Sequence, residues 1–365
     1  MTQRDGRHGQ HPGAERLARF AAAGARNAAL RAHVEACGQC RGLVGRLTAL
    51  PGVLASQVHP SIPGQVGIRV DAILAMQSAE RGAAATEHRD WPARRQGVVS
   101  TAAGLIPFGH ACWAYHERNE LAARGLEYAA DGLAAGQYVE FVGPAGDLEF
   151  HAQLAEQAAR RAVRRGARPE TAGIRDLADY YVYRAPGVVA PEQSIAGLLA
   201  ACDNALAAGY TGVRAIVDGT SVARTAEQRD SYARFEYLID RKMRTLPVGA
   251  LCVYDAGELG PAAVAELACL HPCVSAGAAP FRLYAEEDAD FAIAGTIAGR
   301  AAEDLLRAAL RQVTVAPGRE LIVDARRADY ISEGAVATFH QYARDIKRSA
   351  VIRSGPDRTG RDLVR

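Results

Sequence analysis

The sequence lacks three features that would each assign it to a broad class of proteins. None of its apolar stretches approaches the ~18 residues that span a bilayer, and its first segment, MTQRDGRHGQHPG, is polar. We therefore expect no membrane anchor and no signal peptide. Charge of one sign is missing too, because 43 Lys and Arg residues accompany 41 Asp and Glu residues. A net charge of +2 predicts no surface for direct nucleic-acid binding.

Cysteine is too scarce and too scattered for a secreted disulfide framework. The chain has seven cysteines, an odd number. They stand at positions 37, 40, 112, 202, 252, 269 and 273. This usage predicts reduced thiols or metal ligands, and with them a cytoplasmic location.

What is present favours two or three folded domains in 365 residues. Residues 13–50 are rich in Ala, Leu and Arg and predict helices, and residues 66–79 predict another. A polar stretch rich in Gly and Ala follows. We place domain limits at 8–80, 100–283 and 287–365, with a linker at 81–99.

Beyond the linker, short apolar runs alternate with helical patterns. This alternation predicts an α/β fold whose parallel sheet is covered on both faces. The predicted strands of the middle region are 137–144, 212–219 and 249–256, and its predicted helices are 147–166 and 194–209. A smaller α/β unit follows, with strands at 290–299, 320–326 and 350–353 and helices at 301–313 and 333–348.

The stretch HVEACGQC suggests a metal site near the N-terminus. If this stretch is helical, His33, Cys37 and Cys40 lie on one face, and thiolate and imidazole are ligands that zinc prefers. A fourth ligand would come from His11, with His8 as the alternative. The other interpretation is a surface helix that carries two free thiols.

HPGAERLARF…LRAHVEACGQC resembles the zinc-binding anti-sigma domain family over residues 8–80. This resemblance implies a helical zinc module that wraps a sigma factor and blocks its access to RNA polymerase.

Five segments of the middle region resemble the MEDS sensory domain family. They are FGHACWAYHERNEL (108–121), GLAAGQYVEFV (132–142), AAGYTGVRAIVD (207–218), ARFEYLIDR (233–241) and ALCVYDAGELGPAAVAELACLHPCV (250–274). The resemblance implies a RecA- or KaiC-like parallel sheet that senses a small molecule, proposed to be a hydrocarbon derivative.

The same region offers candidate ligand-binding residues: His110, Cys112, Tyr115 and His271. In an extended segment, His110 and Cys112 share a face because they are two residues apart. The alternative is that Cys112 is core packing and that His110 caps the next helix.

A nucleotide enzyme is a rival interpretation of this region. The loop after the first predicted strand, GPAGDLEF, lacks the Lys and the hydroxyl of a phosphate-binding loop, and Asp147 would repel phosphate. Asp218 could hold a metal or simply shape a turn. A thiol enzyme that uses Cys112 with His110 is a further alternative.

The last unit resembles the STAS domain of anti-sigma factor antagonists through its FAIAGTI strand and the segment LIVDARRADYISEGAVATF. In that family a phosphorylatable serine precedes the glycine of this turn. Glu333 occupies that position here, and its negative charge at a helix N-terminus partly imitates a phosphate. Ser332 and Glu333 are therefore the candidate regulatory residues, although Ser332 is expected to serve as a helix cap.

Together these patterns predict a cytoplasmic, non-catalytic regulator of sigma-factor activity. Its partners would be a sigma factor or an anti-sigma regulatory protein, and its cofactor would be a zinc ion with four protein ligands. A redox switch, in which zinc leaves when Cys37 and Cys40 oxidise, is an alternative.

Overall fold

The computed structural model describes residues 28–37, 41, 96–105, 109–166, 172–315 and 317–354. The chain divides into two compact units, Met1–Thr86 and Glu87–Arg365. Within the described ranges, we find no helix with the length and apolar character required to cross a bilayer.

In the first unit, helix α1 (Ala28–Ala36) carries part of the predicted zinc motif. The N–H of Cys37 donates to the carbonyl of His33 at 2.8 Å, and the N–H of Arg41 donates to the carbonyl of Cys37 at 2.9 Å. These bonds follow the helical i to i−4 pattern, so His33 stands one turn before Cys37 as the motif requires. His8, His11 and Cys40 lie outside the described residues, so the four-ligand zinc site stays a prediction.

The second unit alternates strands and helices, as the sequence predicted. Its strands are β1 (Gly97–Val99), β2 (His110–Tyr115), β3 (Tyr138–Gly143), β4 (Gly173–Asp176), β5 (Tyr183–Ala185), β6 (Val188–Val189), β7 (Val213–Asp218), β8 (Val248–Asp255), β9 (Cys273–Ser275), β10 (Phe281–Tyr284), β11 (Phe291–Ile297), β12 (Glu320–Ile331) and β13 (Ser349–Arg353). Its helices are α2 (Arg118–Ala134), α3 (Leu148–Arg164), α4 (Leu177–Tyr180), α5 (Pro191–Ala207), α6 (Ala226–Met243), α7 (Ala256–Leu259), α8 (Pro261–Ala268), α9 (Gly299–Gln312) and α10 (Glu333–Asp345).

In the part of the chain that the structure describes, the large sheet has seven strands in the order β1-β9-β2-β8-β7-β3-β4. Every neighbouring pair is parallel, which confirms the predicted parallel α/β sheet. The edge strand β1 lies in the stretch that the sequence assigned to a linker, and it pairs with β9. The sheet therefore begins within that stretch.

Helices cover both faces of the large sheet, because its strands are apolar on both sides. One face packs with α2 and α3 in a core that includes Ala111, Trp113, Val139, Phe141, Ile216, Leu251 and Val253. The opposite face lies under α5 and α6. Side chains that line this second layer include Glu140, Val213, Ala215, Val217, Ala250 and Cys252.

A smaller sheet in the order β10-β11-β12-β13 forms the C-terminal part of the same unit. β10 pairs antiparallel with β11, whereas β11, β12 and β13 are parallel neighbours. All but the last residue of β10 falls within the range 100–283 that the sequence assigned to the middle domain, so the smaller sheet takes one strand from before residue 287. β12 runs to Ile331, five residues beyond its predicted end, and irregularities interrupt its pairing with β11.

Ser332 caps α10, as the sequence predicted. Its Oγ accepts a hydrogen bond from the N–H of Ala335 at 3.1 Å and donates to Oε1 of Glu303 at 2.6 Å. Glu303 belongs to α9, so this cap also ties the two helices of the smaller sheet together. Glu333 follows in the first turn of α10 and is exposed.

Candidate functional site

A group of polar side chains lies buried in the middle of the large sheet, on the face that α6 covers. His110 and Cys252 come from the adjacent strands β2 and β8. Glu236 and Asp240 stand one turn apart on α6, and His271 follows the end of α8. His110, Glu236, Asp240 and His271 are 0% exposed and Cys252 is 3% exposed. We refer to these five residues as the central cluster.

Short distances join the members of the central cluster. His110 Nε2 lies 3.0 Å from Glu236 Oε2, and His110 Nδ1 lies 3.1 Å from Asp240 Oδ1. Cys252 Sγ is 3.6 Å from His110 Nε2 and 3.6 Å from Glu236 Oε2. His271 Nε2 is also 3.6 Å from Glu236 Oε2, and the two imidazole rings are 3.9 Å apart between centroids.

Outer hydrogen bonds orient the side chains of the central cluster. Tyr254 donates its hydroxyl to Glu236 Oε1 at 2.7 Å. His271 Nδ1 lies 3.0 Å from the carbonyl of Leu267, one turn earlier in the chain. Since a carbonyl only accepts, this contact assigns the ring proton to Nδ1 and leaves Nε2 of His271 facing the cluster.

A small internal cavity adjoins Glu236 and Cys252. Its other walls are mainly apolar side chains of β7, β8, α5 and α6. About 20 Å³ is open to a water-sized sphere, which is close to the space that one water molecule needs. An organic ligand larger than a few atoms would therefore require the helices over this face to shift.

The structure brings together three of the four predicted ligand-binding residues on this face. His110 and His271 are in contact, and Cys112 lies two residues after His110 on the same side of β2, opposite Cys252 in the parallel register. Tyr115 points to the other face, where its hydroxyl donates to Asp218 Oδ2 at 3.0 Å. The predicted set thus splits between two faces of the sheet.

Sequence reasoning missed Glu236, Asp240 and Cys252 as site residues. The segment ARFEYLIDR carries two acids four residues apart among apolar residues, which is a pattern that places both carboxylates on one buried helix face. This spacing was the sign of a site that the sequence offered, because acidic residues are rarely buried unless they have partners.

The buried thiols of this face are poor nucleophiles. Burial, and after it the neighbouring Glu236 carboxylate, raises the pKa of the Cys112 and Cys252 thiols well above the ordinary value. Both are protonated at neutral pH when no cation is bound, and a thiol reacts far more slowly than a thiolate.

The carboxyl end of the sheet offers little to a nucleotide phosphate. At the start of α2, the Glu120 carboxylate accepts hydrogen bonds from Trp113 Nε1 at 2.9 Å and from the His116 N–H at 3.2 Å. Asp147 forms an ion pair with Arg118. Asp218 is buried, which raises its pKa, and it accepts the N–H of Thr220 at 3.1 Å as a turn residue does.

A comparison with known protein families matches the part of the chain that carries the central cluster. No curated protein matches the chain. The family model that matches is MEDS, described as the methanogen/methylotroph, DcmR sensory domain, and it covers residues 109–272. All five residues of the central cluster fall within the part of this chain that is similar to the MEDS sensory domain.

Proposed function

We propose that the chain is a non-catalytic signalling regulator in which the MEDS-like region senses a small molecule through the central cluster and its adjoining cavity. The match to a sensory domain supports a signalling role. The neutral thiols argue against a thiol enzyme, and the Glu120 carboxylate in the first turn of α2 argues against a nucleotide enzyme.

One observation carries this proposal: Asp240 contacts both His110 of the central cluster and the connection between β10 and β11 of the smaller sheet. Its Oδ1 faces His110, while its Oδ2 accepts the N–H of Ala285 at 2.8 Å, one residue after β10. A ligand that changes the position of His110 or Asp240 therefore acts directly on the β10–β11 connection of the smaller sheet.

Helix α6 provides a second connection in the same direction. Its outer side chains contact the end of α9 and the residues after it: Gln312 Nε2 donates to Asp230 Oδ1 at 2.8 Å, and Arg234 Nη1 donates to the carbonyl of Gln312 at 2.7 Å. Tyr237 donates its hydroxyl to the carbonyl of Thr314 at 3.4 Å. A shift of α6 caused by ligand binding would thus reach α9, provided that the ligand binds one arrangement more tightly than the other.

We extend this proposal by assigning specific roles to the first unit and to the smaller sheet. The first unit would be a zinc module that engages a sigma factor, with His11, His33, Cys37 and Cys40 as its ligands. The smaller sheet would act as a STAS-like domain towards an anti-sigma regulatory protein, with Ser332 and Glu333 at its regulatory turn. A cytoplasmic location agrees with the free thiols of Cys112, Cys252 and Cys269.

The test is to expose the full-length protein to short-chain alcohols, aldehydes, amines and carboxylic acids and to follow hydrogen exchange. We expect one class to slow exchange around α6 and, at the same time, to change exchange in residues 281–315. The Arg234→Gln variant, which removes a contact between α6 and Gln312 outside the central cluster, should retain the first effect and weaken the second. The proposal would be contradicted if none of these compounds binds, or if a compound binds and leaves exchange in residues 281–315 unchanged.

The sigma-factor assignment has a separate test. The full-length protein should retain a sigma subunit of its host on an affinity column, and a Cys37→Ser/Cys40→Ser variant should not. Equal retention by both forms would exclude the zinc module as the binding element.

A further inference from the structure

We propose that the central cluster binds one divalent transition-metal ion of the zinc class through His110 Nε2, His271 Nε2, Cys252 Sγ and Glu236 Oε2. This site is separate from the motif predicted near the N-terminus, and it does not depend on the proposed sensing of an organic molecule. Its four ligand atoms all lie within 4.8 Å of one another and all four side chains are buried.

Four of the six separations among these atoms are close to those of a tetrahedral site, and all six are within 4.8 Å. Bonds of about 2.0–2.3 Å place tetrahedral ligand atoms roughly 3.3–3.8 Å apart. Three of the measured separations, from Cys252 Sγ to His110 Nε2, from Cys252 Sγ to Glu236 Oε2 and from His271 Nε2 to Glu236 Oε2, are 3.6 Å. The fourth, from His110 Nε2 to Glu236 Oε2, is 3.0 Å and needs to lengthen by only a few tenths of an ångström.

The hydrogen bonds around the cluster are those that orient metal ligands in proteins. The Nδ1 atom of His110 faces the Asp240 carboxylate, and the Nδ1 atom of His271 faces the carbonyl of Leu267. Each ring then directs the lone pair of Nε2 inwards, as in carboxylate–histidine–zinc arrangements. Tyr254 holds the second oxygen of Glu236 and so aims Oε2 at the same point.

A divalent cation also offsets buried negative charge in the cluster. Glu236 and Asp240 place two carboxylates in a region without solvent exposure, and a buried carboxylate needs a proton, a cation or several donors. With both Nδ1 protons directed outwards, Glu236 Oε2 faces two imidazole lone pairs and a thiol. A divalent ion among these atoms attracts each of them, and its two charges offset those of Glu236 and of the Cys252 thiolate that forms when the thiol releases its proton on binding. Asp240 meanwhile accepts the Nδ1 proton of His110.

The ligand types select among metals. Imidazole and thiolate favour zinc and other late divalent ions, whereas magnesium and calcium take oxygen ligands. Four protein ligands complete a tetrahedral shell, so the ion would hold β2, β8, α6 and the end of α8 together without a vacant position.

The competing arrangement contains no metal. In it, His110 is an imidazolium that donates to both Asp240 and Glu236, and Cys252 is an ordinary buried thiol. The two arrangements differ in metal content and in the role of the sulfur atom, and both properties can be measured.

The experiment uses the full-length protein with Cys37→Ser and Cys40→Ser, so that the predicted N-terminal site does not contribute. After removal of metal with a chelator, the protein is reloaded with Zn²⁺ for elemental analysis or with Co²⁺ for absorption spectroscopy. We expect about one equivalent of metal per chain. The Co²⁺ form should show the intense near-ultraviolet charge-transfer band of a thiolate ligand and the visible bands of a tetrahedral ion.

Single substitutions in this background locate the ion. Cys252→Ser should abolish the charge-transfer band, and His271→Gln should weaken metal binding at least about tenfold. Cys202→Ser, which alters a buried thiol on α5, should change neither. If a cluster variant does not fold, the Co²⁺ spectrum of the parent decides alone. Substoichiometric metal in the folded parent, a spectrum without the thiolate band, or full metal retention by a folded Cys252→Ser variant would overturn the proposal.

Discussion

Asp240 accepts a hydrogen bond from the backbone N–H of Ala285 at 2.8 Å, and so one buried carboxylate links α6 to the first residues after β10. The other oxygen of the same carboxylate lies 3.1 Å from His110. A single side chain thus contacts both His110 and the β10–β11 connection of the smaller sheet. This arrangement explains why the two parts of the second unit are expected to respond together.

The Asp240→Asn variant is the first prediction. An amide has only one oxygen acceptor, so it cannot accept from both His110 and Ala285, and one of these donors then faces an NH₂ group. We expect a loss of about 1–3 kcal/mol in the free energy of unfolding and an approximately tenfold or greater loss of metal affinity at the central cluster. Urea unfolding and chelator competition measure the two effects.

Asp230→Asn is the matched control for that prediction. Asp230 lies on the same helix, is largely exposed, and accepts a hydrogen bond that an amide oxygen can also accept. Its effect on unfolding should stay within about 0.5 kcal/mol. Equal effects of the two substitutions would mean that the buried position of Asp240 carries no special role.

Substitution of two helix glycines by alanine should change the stability of the protein in opposite directions. Gly132 of α2 is buried, and a Cβ there would lie 2.6 Å from Arg214 Cδ and 2.8 Å from Val139 Cγ2. At Gly197 of α5, no atom of the described residues lies within 4 Å of the same position, apart from its chain neighbours and the backbone of its own helix. Gly132→Ala should destabilise the protein by about 1–3 kcal/mol, because Arg214 is fully buried and cannot move freely.

Gly197→Ala should instead stabilise the protein by about 0.5–1 kcal/mol, because alanine is the better helix former. Thermal and urea unfolding of both variants test the pair. A stabilising Gly132→Ala would show that the contact between α2 and β7 is looser than this structure indicates.

His151 should make the protein less stable in acid. Burial lowers the pKa of His151 from 6.5 to about 4, and its Nδ1 has no hydrogen-bond partner among the described residues. Between these two values the unfolded chain binds a proton that the folded chain does not. Stability should therefore fall as the pH falls from about 6.5 to about 4, by at most about 3 kcal/mol, and this contribution should be constant outside that window.

The check is urea unfolding of the parent and of His151→Leu at a series of pH values across the window. The variant should show a shallower loss of stability on acidification, while His340→Leu, at an exposed position on α10, should follow the parent. Parallel curves for the parent and His151→Leu would exclude a proton uptake by His151 on unfolding.

Substitutions of Ser332, the cap of α10, should separate the effect of its hydrogen bonds on stability from the effect of an added charge. Ser332→Ala removes the acceptor for the N–H of Ala335 and should cost about 0.5–2 kcal/mol. Asp and Asn are both good caps, but Ser332 Oγ lies 2.6 Å from the Glu303 carboxylate. Ser332→Asp should therefore be more destabilising than Ser332→Asn, because it sets two carboxylates against each other. Equal stability of these two variants, measured by thermal unfolding, would contradict this account.

Local sequence patterns predicted much of the second unit. Apolar runs located β3, β7 and β8 to within one residue at each end, and helical periodicity located α3 and α5 to within three. Ser332 was expected as a cap because its position before the helix can be recognised from a few letters. These features depend on neighbours in the chain, which is why they can be found without tertiary information.

The composition of the central cluster could be predicted only in part. His110 and Cys112 share a strand face by alternation, and His271 was a candidate because of the CLHPC stretch. Cys252 meets His110 across 142 positions because β8 lies next to β2, and no local pattern specifies that order of strands. β1 and β10 were missed for a related reason, since strands of three and four residues have too few positions to show a period.

By itself, the sequence determined the alternation of strands and helices, the parallel sheet buried on both faces, and the absence of a phosphate-binding Lys, because periodicity and residue type settle these matters locally. Only the tertiary structure decided that two acids of α6 lie against His110, that one of them, Glu236, also lies near His271, and that Tyr115 belongs to the opposite face. The physical reason is that a buried polar site depends on which strands are neighbours and on how a helix is rotated over them. Both are consequences of packing the whole domain.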